Sequence, residues 1–187
     1  MLRRAIMVWA AGLLLAGPVT AAEVGGVKLD DRASVGGAAL VLNGAGIRSR
    51  LMFKVYVGAL YLPAKSADLQ AVLAHGTRRV QMSLLRNVGA DDLVGALVDG
   101  IKANHDPAQV AALQPQTDQL VTIMKGIGEA KTGDVVTLDL VDGQTLVGHN
   151  GRALGAIAGA AFNDALMRIW LGDKPAQADL KKAMLGG

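Results

Sequence analysis

Cysteine is absent from this sequence. The chain therefore builds no disulfide, thiol nucleophile, thiolate metal site or acylated cysteine. Histidine is scarce: His75, His105 and His149 lie far apart, without the close spacing of metal ligands, and read as turn or surface residues, so no metal is expected. A surplus of one charge is lacking too, with 19 Lys+Arg against 16 Asp+Glu, and two of the cations, Arg3 and Arg4, belong to a leading segment of a different kind. The remaining balance has no footprint for nucleic acid. No serine stands in a G-x-S-x-G context and no Ser–His–Asp order appears. Repeats, linkers and low-complexity stretches are missing, so a single domain is expected.

The leading segment has its own logic. Arg3-Arg4, an apolar run over residues 5–16, Pro18 and the small residues Val19-Thr20-Ala21-Ala22 read as a secretory signal peptide over residues 1–22. The run is too short to span a bilayer comfortably, so no transmembrane anchor is expected after cleavage. The folded domain is expected over residues 23–187. Export without disulfides suits a bacterial periplasm or a secreted protein.

Within that domain, residues 24–29, 38–42, 51–62 and 79–85 read as strands, the third apolar on both faces like an inner strand. Residues 67–75 read as a short helix. In GADDLVGALVDGIKAN, Leu93, Leu97, Val98 and Ile101 share a helical face, with Asp91 and Asp92 at the start and Lys102 near the end. Asp106-Pro107 opens another helix. Pro115 is expected to interrupt it before a helix over 117–125. VVTLDLVDGQTLVGH is a hairpin turning at Asp142-Gly143. A short strand over 152–157 follows, then a helix with Phe162, Leu166, Ile169 and Trp170 on one stripe, ended by Gly172, and a last helix over 177–185. Strands first, helices in the middle and a hairpin after them suggest an α+β domain with helices on an antiparallel sheet.

Aromatic residues are few, six in all, yet Phe53, Tyr56 and Tyr61 crowd into LNGAGIRSRLMFKVYVGALYLP, residues 42–63. Gly44-Ala-Gly46 lacks the helix and third glycine of a nucleotide loop and reads as a hairpin turn. Asp30-Asp31 and Asp91-Asp92 read as turn and helix-start residues. Alternation puts Arg48, Arg50, Lys54 and Tyr56 on one parity, and composition favours a solvated face for them. The alternative is that one of these cations waits for an anionic or carbonyl-bearing ligand. Phe53 and Tyr61 read as sheet packing.

GAGIRSRLMFKVYVGALYL also resembles the glycine–arginine turn and following strand of the chalcone isomerase-like superfamily. GADDLVGALVDGIKAN and the tail FNDALMRIWLGDKPAQADLKKAMLG fit its middle and closing helices. The resemblance spans about residues 24–186. It implies an open-faced β-sandwich, an antiparallel sheet covered by helices with a ligand cleft between them. Some members close a chalcone into a flavanone; others, without catalysis, hold a long-chain carboxylate. Arg48 matches the family's cleft arginine, and Tyr56 falls where a polar hydroxyl residue stands beside it. Three enzyme positions depart: Asp92 replaces a tyrosine, Asp99 an asparagine and Ile169 a small polar residue. The departures argue against phenolate cyclisation and imply a cleft more apolar on its helix side. The resemblance thus favours a non-catalytic binding protein for an apolar ligand with an acidic or carbonyl head group and no cofactor, its tail buried by the helix stripes. An intramolecular lyase is the alternative. An envelope interaction module, using a sheet edge or an Arg78-Arg79 surface spot, is the third.

Overall fold

The computed structural model describes residues 22–187. The expected export segment lies outside the described residues, save Ala22, which opens the first strand.

β1 (Ala22–Val24) and β2 (Val27–Leu29) form a small hairpin, so the single strand expected over 24–29 is broken by Gly25-Gly26. β3 (Arg32–Val35), β4 (Ala38–Arg50), β5 (Phe53–Leu62) and β6 (Arg78–Leu84) form an antiparallel meander, with α1 (Leu69–Ala74) between the last two. A helical block follows: α2 (Ala90–Ala103), α3 (Pro107–Ala112) and α4 (Gln114–Lys125), flanked by the short paired strands β7 (Val88–Gly89) and β8 (Glu129–Ala130). β9 (Val135–Val141), β10 (Gln144–His149) and β11 (Arg152–Ala158) form a second meander. It joins the first through β6 and β9, giving a seven-stranded sheet in the order β11-β10-β9-β6-β5-β4-β3. α5 (Ala160–Leu171) and α6 (Ala178–Met184) close the chain. Pro115 opens α4 rather than ending a helix, because the first turn needs no N–H from it.

Two cores hold the sheet. On its inner face, Leu60, Met82 and Leu138 pack against Leu93, Leu97 and Ile101 of α2 and against Phe162, Leu166 and Trp170 of α5. On its outer face, Val57, Ala59 and Tyr61 pack with Leu29 and Val35 beneath the β1–β2 hairpin. β5 is therefore covered on both sides, as its uninterrupted apolar run requires.

β4 departs most from expectation. It runs on to Arg50, and Gly44-Ala-Gly46 lies inside it rather than at a turn. The glycines serve close approach. A Cβ on Gly44 would meet the backbone carbonyl of Ala183 and come within 2.9 Å of the Met184 carbonyl oxygen, and one on Gly46 would sit 2.8 Å from the Ala183 Cβ. α6 thus lies on bare strand backbone. Asn43, at a bulge in β4, donates to the Met184 carbonyl (2.7 Å) and the Ser66 carbonyl (2.9 Å) and accepts from the Ser66 N–H (2.7 Å). One buried amide therefore satisfies an orphan carbonyl at the end of α6 and ties down the chain after β5.

Candidate functional site

The sheet pairing sets Arg48 of β4 directly across from Tyr56 of β5. β3 pairs with β4 only as far as Val41, so the outer edge of β4 beyond it needs another cover. Gln177, just before α6, supplies part of it. Its side-chain oxygen accepts from the Ser49 N–H (2.9 Å) and its amide donates to the Ile47 carbonyl (3.2 Å). The same oxygen lies 3.5 Å from Arg48 Nη1, which also donates to the Ser49 carbonyl. The guanidinium is half-buried and held in place at the end of the strand.

In front of it lies an open cleft of about 530 Å³, walled by the end of β4, one face of α2 and the connection from α5 to α6. Arg48, Arg50 and Lys174 bring three cations, and Asp91, Asp92 and Asp99 bring three carboxylates. Between them Gly95, Ala96, Gly100 and Ala103 form a floor of small residues. Helical spacing explains the division: Asp92, Ala96, Asp99 and Ala103 follow one another at three and four residues, while Leu93, Leu97 and Ile101 turn to the core.

Of the residues singled out from sequence, Arg48, Asp92 and Asp99 meet in this cleft. Tyr56 and Ile169 lie behind it, buried in the inner core. The Tyr56 hydroxyl accepts a hydrogen bond from the Trp170 indole N–H at 2.9 Å. Burial pushes its pKa up, against the opposing pull of that bond and of Arg48. The hydroxyl keeps one hydrogen to donate. Ile169 fills the gap left by Gly100, where a Cβ would stand 2.7 Å from its Cγ2.

Several expectations are corrected. The helix side of the cleft is charged rather than apolar, because Asp92 and Asp99 line it. The aliphatic stripes of α2 and α5 cannot wrap a ligand tail in this conformation: Leu97 is 3% exposed, and Leu166 and Trp170 are 0% exposed, against one another and the sheet. The Arg78-Arg79 pair is no surface spot. Arg78 is buried, donating to Asn163, to the Leu73 and His75 carbonyls and to Asp164. Arg79 points to the opposite face, where the two Asp139 carboxylate oxygens accept from its Nε and Nη2, each at 2.7 Å. Phe53 does not pack in the sheet either; it is 56% exposed at the tip of the β4–β5 hairpin, whereas Tyr61 is buried as expected. Sequence reasoning overlooked Gln177 and Lys174, whose signal is only their position before the last helix.

No curated protein sequence matches this chain. Among solved structures, the fold is similar to the crystal structure of a fatty-acid binding protein from Arabidopsis thaliana, with a TM-score of 0.66 and 11% identity, covering 86% of this chain and 92% of that one. Identity so low speaks for the fold: a curled antiparallel sheet with helices on its inner face, the open-faced sandwich. The sequence profile of the chalcone isomerase-like family matches residues 21–186, essentially the whole described fold, and the chain belongs to that family.

Proposed function

We propose that this protein is a non-catalytic binding protein that works outside the cytoplasm. It takes a ligand with a carboxylate or carbonyl head group at Arg48, and the ligand's body lies along the small-residue floor of the cleft. One observation carries the reading: the Arg48 guanidinium is half-buried, held by Gln177 and the Ser49 carbonyl, and faces a cleft. A planar, permanently charged fork held in this way suits a carboxylate or carbonyl oxygen. The fold neighbour is described as a fatty-acid binding protein, which favours the same class of ligand. Tyr56 supports the anchor from behind. The cleft is open, which weakens any oxyanion stabilisation, so chemistry is the poorer reading. The leading Arg3-Arg4 and apolar segment support export.

The test is native mass spectrometry of the protein purified gently from its own host, followed by denaturation to release any passenger. We expect an acyl carboxylate, lost in Arg48→Ala. Titration of the emptied protein with that carboxylate should show Arg48→Ala binding about ten- to a hundredfold more weakly, the value of a charge-assisted hydrogen bond. Equal affinity in the two proteins would overturn the assignment of Arg48.

A further inference from the structure

Five two-residue hairpins turn the described chain, and four close through Gly25-Gly26, Gly36-Gly37, Asp142-Gly143 and Asn150-Gly151, every one of these residues at positive φ. The fifth, between β4 and β5, closes through Leu51-Met52, with Leu51 at φ 56°. Leucine is a poor residue for that backbone region, and glycine, asparagine or aspartate would be easier there. Its side chain recovers nothing by packing: Leu51 and Met52 are each 92% exposed, and Phe53 beside them is 56% exposed. Exposed cations collar these three residues. Arg50 and Lys54 stand on the two strands, and the Arg86 guanidinium lies 4.9 Å from the centre of the Phe53 ring. Asp92 is the one carboxylate among the lining residues of the same groove; Asp91 beside it is paired with Lys125 at 3.3 Å.

We propose that this hairpin tip is a docking surface for an anionic lipid membrane. Leu51 and Met52 enter the headgroup layer, and Arg50, Lys54 and Arg86 meet lipid phosphates. The shape selects this occupant. Leu51 and Met52 project from a hairpin tip beside a small groove, and three side chains fall far short of the roughly 800 Å² per partner that a stable protein interface covers. Apolar side chains ringed by arginine and lysine suit the boundary between headgroups and acyl chains, where each cation near an anionic surface contributes about 1 kcal/mol. No helix among the described residues is long and apolar enough to cross a membrane, and the contact proposed at the tip is a peripheral one. Arg50 and Asp92 line both the groove at the tip and the ligand cleft, so docking would bring the cleft mouth to the bilayer. The proposal goes beyond the binding reading and does not depend on it: tip variants test docking, Arg48 variants test the cleft.

The experiment is vesicle flotation with phosphatidylcholine alone and with phosphatidylcholine mixed with phosphatidylglycerol. It uses the full chain and also residues 22–187, the described span that carries both cores, because the leading apolar run could hold the full chain on a vesicle by itself. We expect residues 22–187 to float with the mixed vesicles and to be released by salt. Leu51→Asn combined with Met52→Ser should reduce partitioning by about tenfold through lost apolar insertion, and Lys54→Gln by about fivefold. Asparagine tolerates the backbone at position 51, and an unchanged melting temperature would show that the fold survives. Absence of flotation overturns the proposal, as does equal flotation of the tip variant. Loss of self-association in the tip variant, with vesicle binding intact, would assign the tip to a second copy of the chain instead.

Discussion

Replacing Gly44 by alanine tests how the cleft is supported. The added methyl group would point at the Ala183 carbonyl and reach 2.9 Å from the Met184 carbonyl oxygen and 3.0 Å from its carbon. All three are backbone atoms, so no side-chain rotation relieves the clash. Two responses are open. If strand and helix shift apart, the cost is that of overpacking, about 1–3 kcal/mol, with the buried Asn43–Met184 bond adding about 1 kcal/mol if it is lost. If α6 lifts off, Leu180 and Met184 lose their burial, at about 1.5–3 kcal/mol each, which sets the upper limit. We expect a loss of about 3 kcal/mol in urea unfolding, and faster proteolysis within α6. Gly95→Ala is the control. A Cβ there meets nothing within 4 Å, and the position is a helix interior, so the same chemical change should stabilise by about 0.5–1 kcal/mol. If Gly44→Ala costs less than about 0.5 kcal/mol and α6 stays protected, the close approach of helix to strand is refuted.

Tyr56→Phe should cost about 1–3 kcal/mol, because it leaves the buried Trp170 N–H without an acceptor. Urea unfolding combined with the Trp170→Phe variant would measure the coupling, and additive losses would refute it. Asp134 is held down to about 2 by hydrogen bonds from the Asn150 side chain, the Lys131 N–H and His149. Its folded pKa lies below the unfolded value of 3.8, so the unfolded chain takes up the proton first. Its stabilisation is complete above that value and is lost as pH falls toward about 2. Melting temperatures across this window should fall less steeply in Asn150→Gly, which keeps the positive φ of the turn but removes the donor; an unchanged slope would refute the assignment.

The sequence was legible where a local rule and the tertiary structure agree. Asp142-Gly143 marked its hairpin, Asp106-Pro107 opened its helix, and the stripes of α2 and α5 faced the core as their spacing required. It misled where one residue type serves two purposes. Glycine marks a turn or a close approach, and at Gly44 only the packing of α6, from the far end of the chain, distinguishes them. A helical stripe states that apolar residues are buried, not whether protein or ligand covers them. That gap produced the expectation of an apolar cleft lined by residues already packed on one another. Arg48 was singled out because a family pattern carries it; Gln177, which lies against it, stands in no pattern.

The β4–β5 hairpin shows the opposite case, in which a missing signal is the informative one. Its two-residue turn is made of Leu51 and Met52, and the same chain uses glycine, asparagine or aspartate at every other turn of this length described. Neither residue gains burial, and one sits in a backbone region that disfavours it. Folding alone gives no reason to keep this pair. A local rule broken without a structural return is where function is expected to show. Here the broken rule stands beside Arg50, which also borders the cleft in front of Arg48. The same short segment therefore carries both the proposed head-group anchor and the proposed membrane contact. A ligand drawn from a bilayer would meet them in that order, tip first and Arg48 second.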